Sequence, residues 1–220
     1  MLDLPATTIP IIPMKPLSEG KTRLARQLTR DQRAELIVGM LRRVIAAIKS
    51  ASIDRFWVIG GDQRVMQLTR NNGGLWLEEL GRNLNDTLTR AFERAYQQGN
   101  SALYLPGDLP FIKPGDVTSL LRSSERGSNV TLAPARRDGG TNAIVVPHGI
   151  PFLPELGRRS FARHLAQAAA KEISVSIYYS QGLGFDLDTI DDLESYEHME
   201  PGLLQRLVPH WEGSKGSKGS

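Results

Sequence analysis

Three aspartates set among core-type residues are the side chains of this chain best suited to chemistry. Asp108 lies in Gly107-Asp108-Leu109-Pro110, and Asp186 and Asp188 lie in Phe185-Asp186-Leu187-Asp188. Asp108 follows the apolar run Ala102-Leu103-Tyr104-Leu105, which reads as a buried strand. In open α/β sheets ligands bind beyond the carboxyl ends of the strands, so a lone carboxylate there is a natural ligand for a hard cation. Gly107 lets the backbone approach closely, and Pro110 stops the strand. Asp186 and Asp188 read as the end of a further strand, where residues two apart share a face and could share one ion. Mg²⁺ takes one or two carboxylates together with phosphate oxygens and water. A competing role for Asp188 is to cap the helix that Asp-Thr-Ile-Asp-Asp would begin.

Cations are grouped where a phosphate-bearing partner of that ion would sit. Met14 to Leu24 carries Lys15, Lys21 and Arg23 around the flexible Gly20, directly after the first apolar run. Such a loop can wrap a polyphosphate, with backbone N–H groups cradling it and Lys21 and Arg23 neutralising charge. It is not a Walker A loop, because Lys15 stands where the first glycine of that pattern belongs. Gly139-Gly140-Thr141-Asn142 is either a plain turn or a source of amides and a hydroxyl for a phosphate or carboxylate. Gly157-Arg158-Arg159-Ser160-Phe161-Ala162-Arg163-His164 opens a helix, and its free N–H groups beside Arg158, Arg159 and Arg163 form a candidate anion site. The alternative there is an ordinary Ser cap with surface arginines. His164 reads as a packing residue or one that orients a neighbour, rather than a metal ligand. No Ser/His/Asp constellation or nucleophile elbow is present. The set as a whole points to Mg²⁺ and a nucleoside triphosphate.

The elements that must position these groups alternate along the chain. Strands are expected at Thr8 to Pro13, Phe56 to Ile59, Leu75 to Leu77, the run before Asp108, Asn129 to Ala133, Asn142 to Val146, Ile173 to Tyr179, and before Asp188. The prolines weaken the first of these, since they remove ladder donors. Helices are expected after Asp31, which can cap one, at 63–70, from Asn83 or Asn85 to about Gln98, from Pro114, from Ser160 to Lys171, and from Asp191. This spacing argues for an α/β fold with a doubly wound, mainly parallel sheet.

The bulk numbers fit one such domain. The 220 residues are 40% hydrophobic and 23% charged, with a formal charge of +3 and no cysteine. The absence of cysteine excludes disulfides, thiolate catalysis and Cys-ligated metals. Lys and Arg are dispersed, with few interleaved aromatics, which argues against a nucleic-acid groove. No apolar run approaches a membrane span and no signal peptide is visible, so a cytoplasmic enzyme is the expectation. Residues 1–211 form the expected domain, and the Gly-Ser-Lys stretch at 212–220 is set aside as a linker or disordered tail.

Taken in order, these segments resemble the guanylyltransferase family of coenzyme F420 biosynthesis, which acts on 2-phospho-L-lactate, phosphoenolpyruvate or 3-phosphoglycerate. The matching pieces are Lys15-Pro16-Leu17 with Lys21-Thr22-Arg23-Leu24-Ala25, Leu84-Asn85, Gly107-Asp108-Leu109-Pro110, Gly140-Thr141-Asn142-Ala143, Gly157 with Ser160-Phe161-Ala162-Arg163-His164, and Asp186-Leu187-Asp188-Thr189. They span residues 9–197. The resemblance implies a single Rossmann-like nucleotidyltransferase domain of the GT-A-like kind, with a mixed, mainly parallel sheet flanked by helices. It implies GTP and a small phosphorylated carboxylic acid as substrates, with no nucleic acid or membrane partner, and it leaves a homodimer open. It assigns Lys21, Arg23 and Asp108 to catalysis, and Lys15, Lys21, Arg23, Asn85 and Gly107 to the nucleotide. Thr141, Gly157, Ser160 and Arg163 go to the acceptor, and Asp108, Asp186 and Asp188 to Mg²⁺. Arg158-Arg159 departs from the family pattern and adds two charges beside the acceptor site. A molybdenum-cofactor-type nucleotidyltransferase would want Leu-Ala-Gly-Gly where Ile12-Pro13-Met14-Lys15 stands. A non-catalytic nucleotide-binding domain would not keep all three carboxylates. A glycosyltransferase of the related fold would carry its Asp-x-Asp mid-chain.

Overall fold

Strict alternation of apolar side chains builds the central strands. In the computed structural model, which describes residues 7–124 and 129–208, β1 (Thr8–Met14) sends Ile9 and Ile11 to one face and Ile12 and Met14 to the other. β2 (Trp57–Gly60), β4 (Ser101–Tyr104) and β6 (Thr141–Val146) divide their side chains in the same way, so each strand feeds two cores. With β3 (Leu75–Leu77), β5 (Asn129–Pro134) and β7 (Ser174–Ile177) they form a seven-stranded sheet in the order β3-β2-β1-β4-β6-β5-β7. Every pair is parallel except the two made by β6. The expected α/β architecture with a mixed, mainly parallel sheet is the one formed.

The prolines of β1 do not interrupt this sheet, because of where they fall. Ser101 N–H donates to Thr7 and Leu105 N–H to Ile11, so odd-numbered β1 residues turn their polar groups toward β4. Even-numbered residues turn toward β2. The first half of β1 pairs with β4 and the second half, from Ile11, with β2. Pro10 therefore faces β2 before that ladder begins, and Pro13 faces β4 after that ladder has ended. Neither missing N–H is one the sheet needs.

Helices cover both faces. α1 (Arg30–Ser50), α2 (Gln63–Asn71) and α4 (Pro114–Arg122) pack their buried residues on the face that carries Ile12 and Val58. α3 (Leu84–Gln97) and α5 (Ser160–Ala170) cover the face of Ile11 and Ile144. α6 (Gln181–Gly184) leads to α7 (Ile190–Met199) and α8 (Leu203–Leu207), which pack on the outer side of α1 through Tyr196, Leu203 and Leu207. No helix among the described residues is long and apolar enough to cross a membrane.

Four expectations change. α1 is capped by Thr29 in a reciprocal box with Gln32, and not by Asp31. β4 ends at Tyr104, which puts Asp108 on the loop beyond it. Residues 185–188 form no strand, because no partner strand lies beside them. The short helices α6 and α8 lie beyond the expected elements. The 212–220 tail lies outside the described residues.

Candidate active site

The carboxyl ends of β1 and β4 lie side by side, and their loops meet. After β1, two short 3₁₀ turns, Leu17–Glu19 and Thr22–Leu24, flank Lys21, whose backbone is left-handed at φ 50°. This turn sends the Lys21 side chain inward, where it is only 7% exposed. Its Nζ donates to Asp108 Oδ2 at 2.5 Å and to Asp188 Oδ1 at 2.8 Å. Gly107 supports the arrangement, because a Cβ there would run into the Met14 sulfur at the end of β1. A side chain at 107 would therefore require the Met14 thioether to shift.

Lys21, Asp186 and Asp188 are shifted from their ordinary ranges for reasons visible in their surroundings. Burial alone would lower the Lys21 pKa, but Asp108 and Asp188 more than offset it and hold the ammonium above its ordinary value. For Asp188, burial works upward, yet Lys21, then Arg23 and Arg137, keep its carboxyl below the ordinary value. Asp186 has no ion pair among the described residues, and Lys21 offsets only part of what raises it. Burial, then Asp108, then Asp188, push its pKa up from 3.8 to about 6. Leu187 is buried between Asp186 and Asp188, and no ladder sets which way the two carboxylates point.

Asp188 is free for this role because the helix cap lies elsewhere. Thr189 caps α7, and Asp192 completes the box while accepting from the backbone N–H of both Asp188 and Thr189 at 3.0 and 2.7 Å. Arg137 pairs with Asp192 from outside. Asp192 is a positioning residue that the sequence reading passed over as a helix-start acid.

A cleft of about 590 Å³ opens above the cluster. Lys15, Lys21, Arg23, Gly107, Asp108 and Asp188 all line it, joined by Glu79, Arg82 and Asn83 from the segment that enters α3. The size suits a drug-sized or nucleotide ligand. Lys15 and Arg23 are exposed at its rim. Two carboxylates, Asp108 and Asp188, converge on one ammonium, and one or two carboxylates are what Mg²⁺ takes beside phosphate oxygens and water. Among the described residues no three Asp, Glu or His side chains stand at metal-ligand spacing, and Lys21 lies between Asp108 and Asp188. The donor chemistry fits a divalent ion once that ammonium turns away.

The proposed acceptor residues fall into two groups. β6 runs antiparallel to β4 with Tyr104 opposite Ile144, which brings Thr141 to the same sheet edge as Gly107 and Asp108. Thr141 and Ser160 are buried and in contact, Ser160 Oγ donating to Thr141 Oγ1 at 3.3 Å. Gly157 stands in the turn before α5 with φ 126°, open only to glycine without strain. Arg163 is folded back onto the Arg158 and Glu155 carbonyls, and with Arg158 and Arg159 it lines a separate surface depression. The amides at the start of α5 are also less free than expected. Ser160 N–H donates to Gly157 O and Phe161 N–H to Gly139 O, both at 3.0 Å, and Arg159 rather than Ser160 stands at the cap.

Asn85 lies outside the cleft. Its amide donates to Leu156 O at 3.1 Å and accepts from Leu156 N–H at 2.7 Å, which ties α3 to the loop before α5. Asn83, the cap of α3, is the asparagine that lines the cleft. The capping signal could have singled it out.

A family model described as "Guanylyl transferase CofC like" matches residues 8–199. The phosphoenolpyruvate guanylyltransferase of Sphaerobacter thermophilus is 35% identical over 191 residues, covering 86% of this chain and 91% of that protein. The 2-phospho-L-lactate guanylyltransferase of Methanothermobacter thermautotrophicus is 34% identical, covering 84% and 82%. The 3-phospho-D-glycerate guanylyltransferase of Phenylobacterium zucineum is 33% identical, covering 79% and 82%. A solved structure from Desulfovibrio desulfuricans superposes with a TM-score of 0.74 at 16% identity, covering 93% and 92%. A nucleotidyl transferase from Methanothermobacter does so with a TM-score of 0.60 at 13%, covering 88% and 97%.

Proposed function

The chain belongs to the CofC-like guanylyl transferase family, and from that premise we propose that this nucleotidyltransferase moves the GMP unit of GTP onto the phosphate of a small phosphorylated acid. The acceptors named for its relatives are phosphoenolpyruvate, 2-phospho-L-lactate and 3-phospho-D-glycerate. All pair a phosphate with a carboxylate on a three-carbon frame, and that is the substrate class assigned to this chain. The product, GMP joined to the acid through a diphosphate, enters coenzyme F420 biosynthesis. The proposed setting is the cytoplasm.

The observation that carries this reading is the cleft floored by Lys21, Asp108 and Asp188 at the carboxyl edge of the sheet. In the reaction an acceptor phosphate oxygen bonds to the α-phosphorus of GTP. The bond from that phosphorus to the bridging oxygen breaks, and pyrophosphate leaves with the electron pair. The attacking oxygen is already ionised, so no side chain has to remove a proton. Catalysis then reduces to holding the two anions in line and neutralising them. Lys15, Lys21 and Arg23 would offset the triphosphate charge. Asp108, Asp186 and Asp188 would hold Mg²⁺, which when bound adds neutralisation at the phosphates. Thr141, Gly157 and Ser160 would receive the acid.

The test is a product assay. GTP and Mg²⁺ are incubated with each of the three acids, and mass spectrometry is expected to find the GMP diphosphate ester with at least one, matched by pyrophosphate. A protein that melts cooperatively yet forms no ester with any of them overturns the reading. Equal turnover with ATP overturns the base assignment, which rests on family membership.

A further inference from the structure

The fully buried His164 has no part in the chemistry described above, yet both its ring nitrogens are engaged. Nε2 lies 2.8 Å from the backbone nitrogen of Glu155, and Nδ1 lies 2.9 Å from Thr141 Oγ1. A backbone amide only donates, so Nε2 must be the bare, accepting nitrogen. The proton of the neutral ring is then on Nδ1, and Nδ1–H donates to Thr141 Oγ1. Burial, with Arg163 nearby, lowers the ring's pKa to about 4, which keeps it neutral at ordinary pH.

This tautomer changes what the Thr141–Ser160 pair can offer. Thr141 Oγ1 accepts from His164 and also from Ser160 Oγ. Both of its lone pairs are used, and its own proton has no acceptor in that trio. Were the two hydroxyl roles exchanged, the leftover proton would belong to Ser160. Either way, two hydroxyls and one imidazole N–H share too few acceptors, and one hydroxyl proton is left for a ligand. The opposite tautomer would accept from Thr141, and the trio would be satisfied within itself.

We propose that His164 is a positioning residue for the acceptor acid, fixing the Thr141–Ser160 pair as a hydrogen-bond donor toward an anionic oxygen. The proposal rests on the assignment of Thr141 and Ser160 to the acceptor. It names a ligand that only accepts, as phosphate and ionised carboxylate do. α5 and the loop before it hold the ring in place, since Gln167 and Arg163 bond the same 153–158 segment that supplies the Glu155 amide.

The test compares Michaelis constants for phosphoenolpyruvate and GTP in His164→Leu, His164→Asn and Thr141→Val. Asn keeps an N–H where Nδ1 stands, whereas Leu does not. A hydrogen bond to a charged group corresponds to roughly ten- to hundred-fold in affinity. His164→Leu is expected to raise the phosphoenolpyruvate KM by about that factor, with the GTP KM and kcat within about twofold, and His164→Asn to restore most of the loss. Equal loss in the Leu and Asn variants, or a parallel rise in the GTP KM, overturns the proposal. If Thr141→Val leaves the phosphoenolpyruvate KM unchanged, the acceptor assignment itself fails. ¹⁵N NMR of the histidine rings in the unmodified full chain needs no variant to fold. A protonated Nδ1 and a bare Nε2 at His164 are expected, and the reverse tautomer overturns the proposal.

Discussion

His164 should make the protein acid-sensitive, and the size of the effect follows from its burial. In the unfolded chain the ring takes a proton near its ordinary 6.5, whereas in the fold it does so only near 4. Between those values the unfolded state binds more protons, so stability falls as pH drops from about 6.5 to about 4 and is unaffected by this residue below that. At about 1.4 kcal/mol per pH unit the gap is worth about 3 kcal/mol, or roughly 6–12 °C in Tm for a domain of this size. The perturbation is His164→Asn, which removes the titration and keeps a donor toward Thr141. Urea unfolding of both proteins at pH 7.5 and pH 4 isolates the term, because the remaining groups are common to the two chains. Asp186, raised to about 6, works in the opposite direction and cancels in the comparison. The unmodified protein is expected to lose about 3 kcal/mol more than the variant over that interval. Parallel losses would mean that the ring is protonated in the fold, and the tautomer argument would fall with it.

Further outcomes follow from contacts already described. Asp108→Asn is expected to abolish turnover with little change in Tm, because its carboxylate is partly exposed and faces the cleft; near-normal activity would remove it from the site. Asn85→Ala should cost about 1–3 kcal/mol by urea unfolding and change GTP affinity little, since both ends of its amide serve Leu156. A large loss of GTP binding at unchanged stability would return Asn85 to the nucleotide site. Asp192→Ala removes the acceptor for two backbone amides, so stability should fall by about 1–2 kcal/mol and kcat should drop as Asp188 loosens. Unchanged kcat would show that Lys21 alone fixes Asp188.

Local patterns in this chain carried the elements, and distant pairings carried the corrections. Alternation in β1, β4 and β6, the cap at Asn83 and the first-turn Pro114 are short-range signals, and they located the sheet and most helices. Whether 185–188 would be a strand depended on a neighbouring strand, which no local pattern reveals. The aspartates and the Lys15 to Arg23 loop were legible by type. That Lys21 would bridge Asp108 and Asp188, across separations of 87 and 167 residues, was not. That the Asn85 amide would bond the Leu156 backbone was not legible either, because a helix-start amide looks the same in sequence whether it meets a base or a passing backbone. His164 reads as a residue that could orient a neighbour, but its partner Thr141 lies 23 residues back, at the start of β6.

The prolines of β1 also guard the alignment of the whole edge. A strand that slides by one residue against its neighbours exposes its core side chains, so that error is self-correcting. A slide by two keeps every side chain on its proper face and escapes that check. In β1 such a slide would carry Pro10 into the β2 ladder, or Pro13 into the β4 ladder, and either ring would break a bond there. The residues that look least suited to a central strand thus reject the one misalignment that hydrophobicity tolerates. Since β1 ends at Met14, beside Gly107, a two-residue error would move the start of the loop that carries Lys21 by roughly 6–7 Å along the strand. The spacing of the charge cluster is guarded by two rings that take no part in its hydrogen bonds.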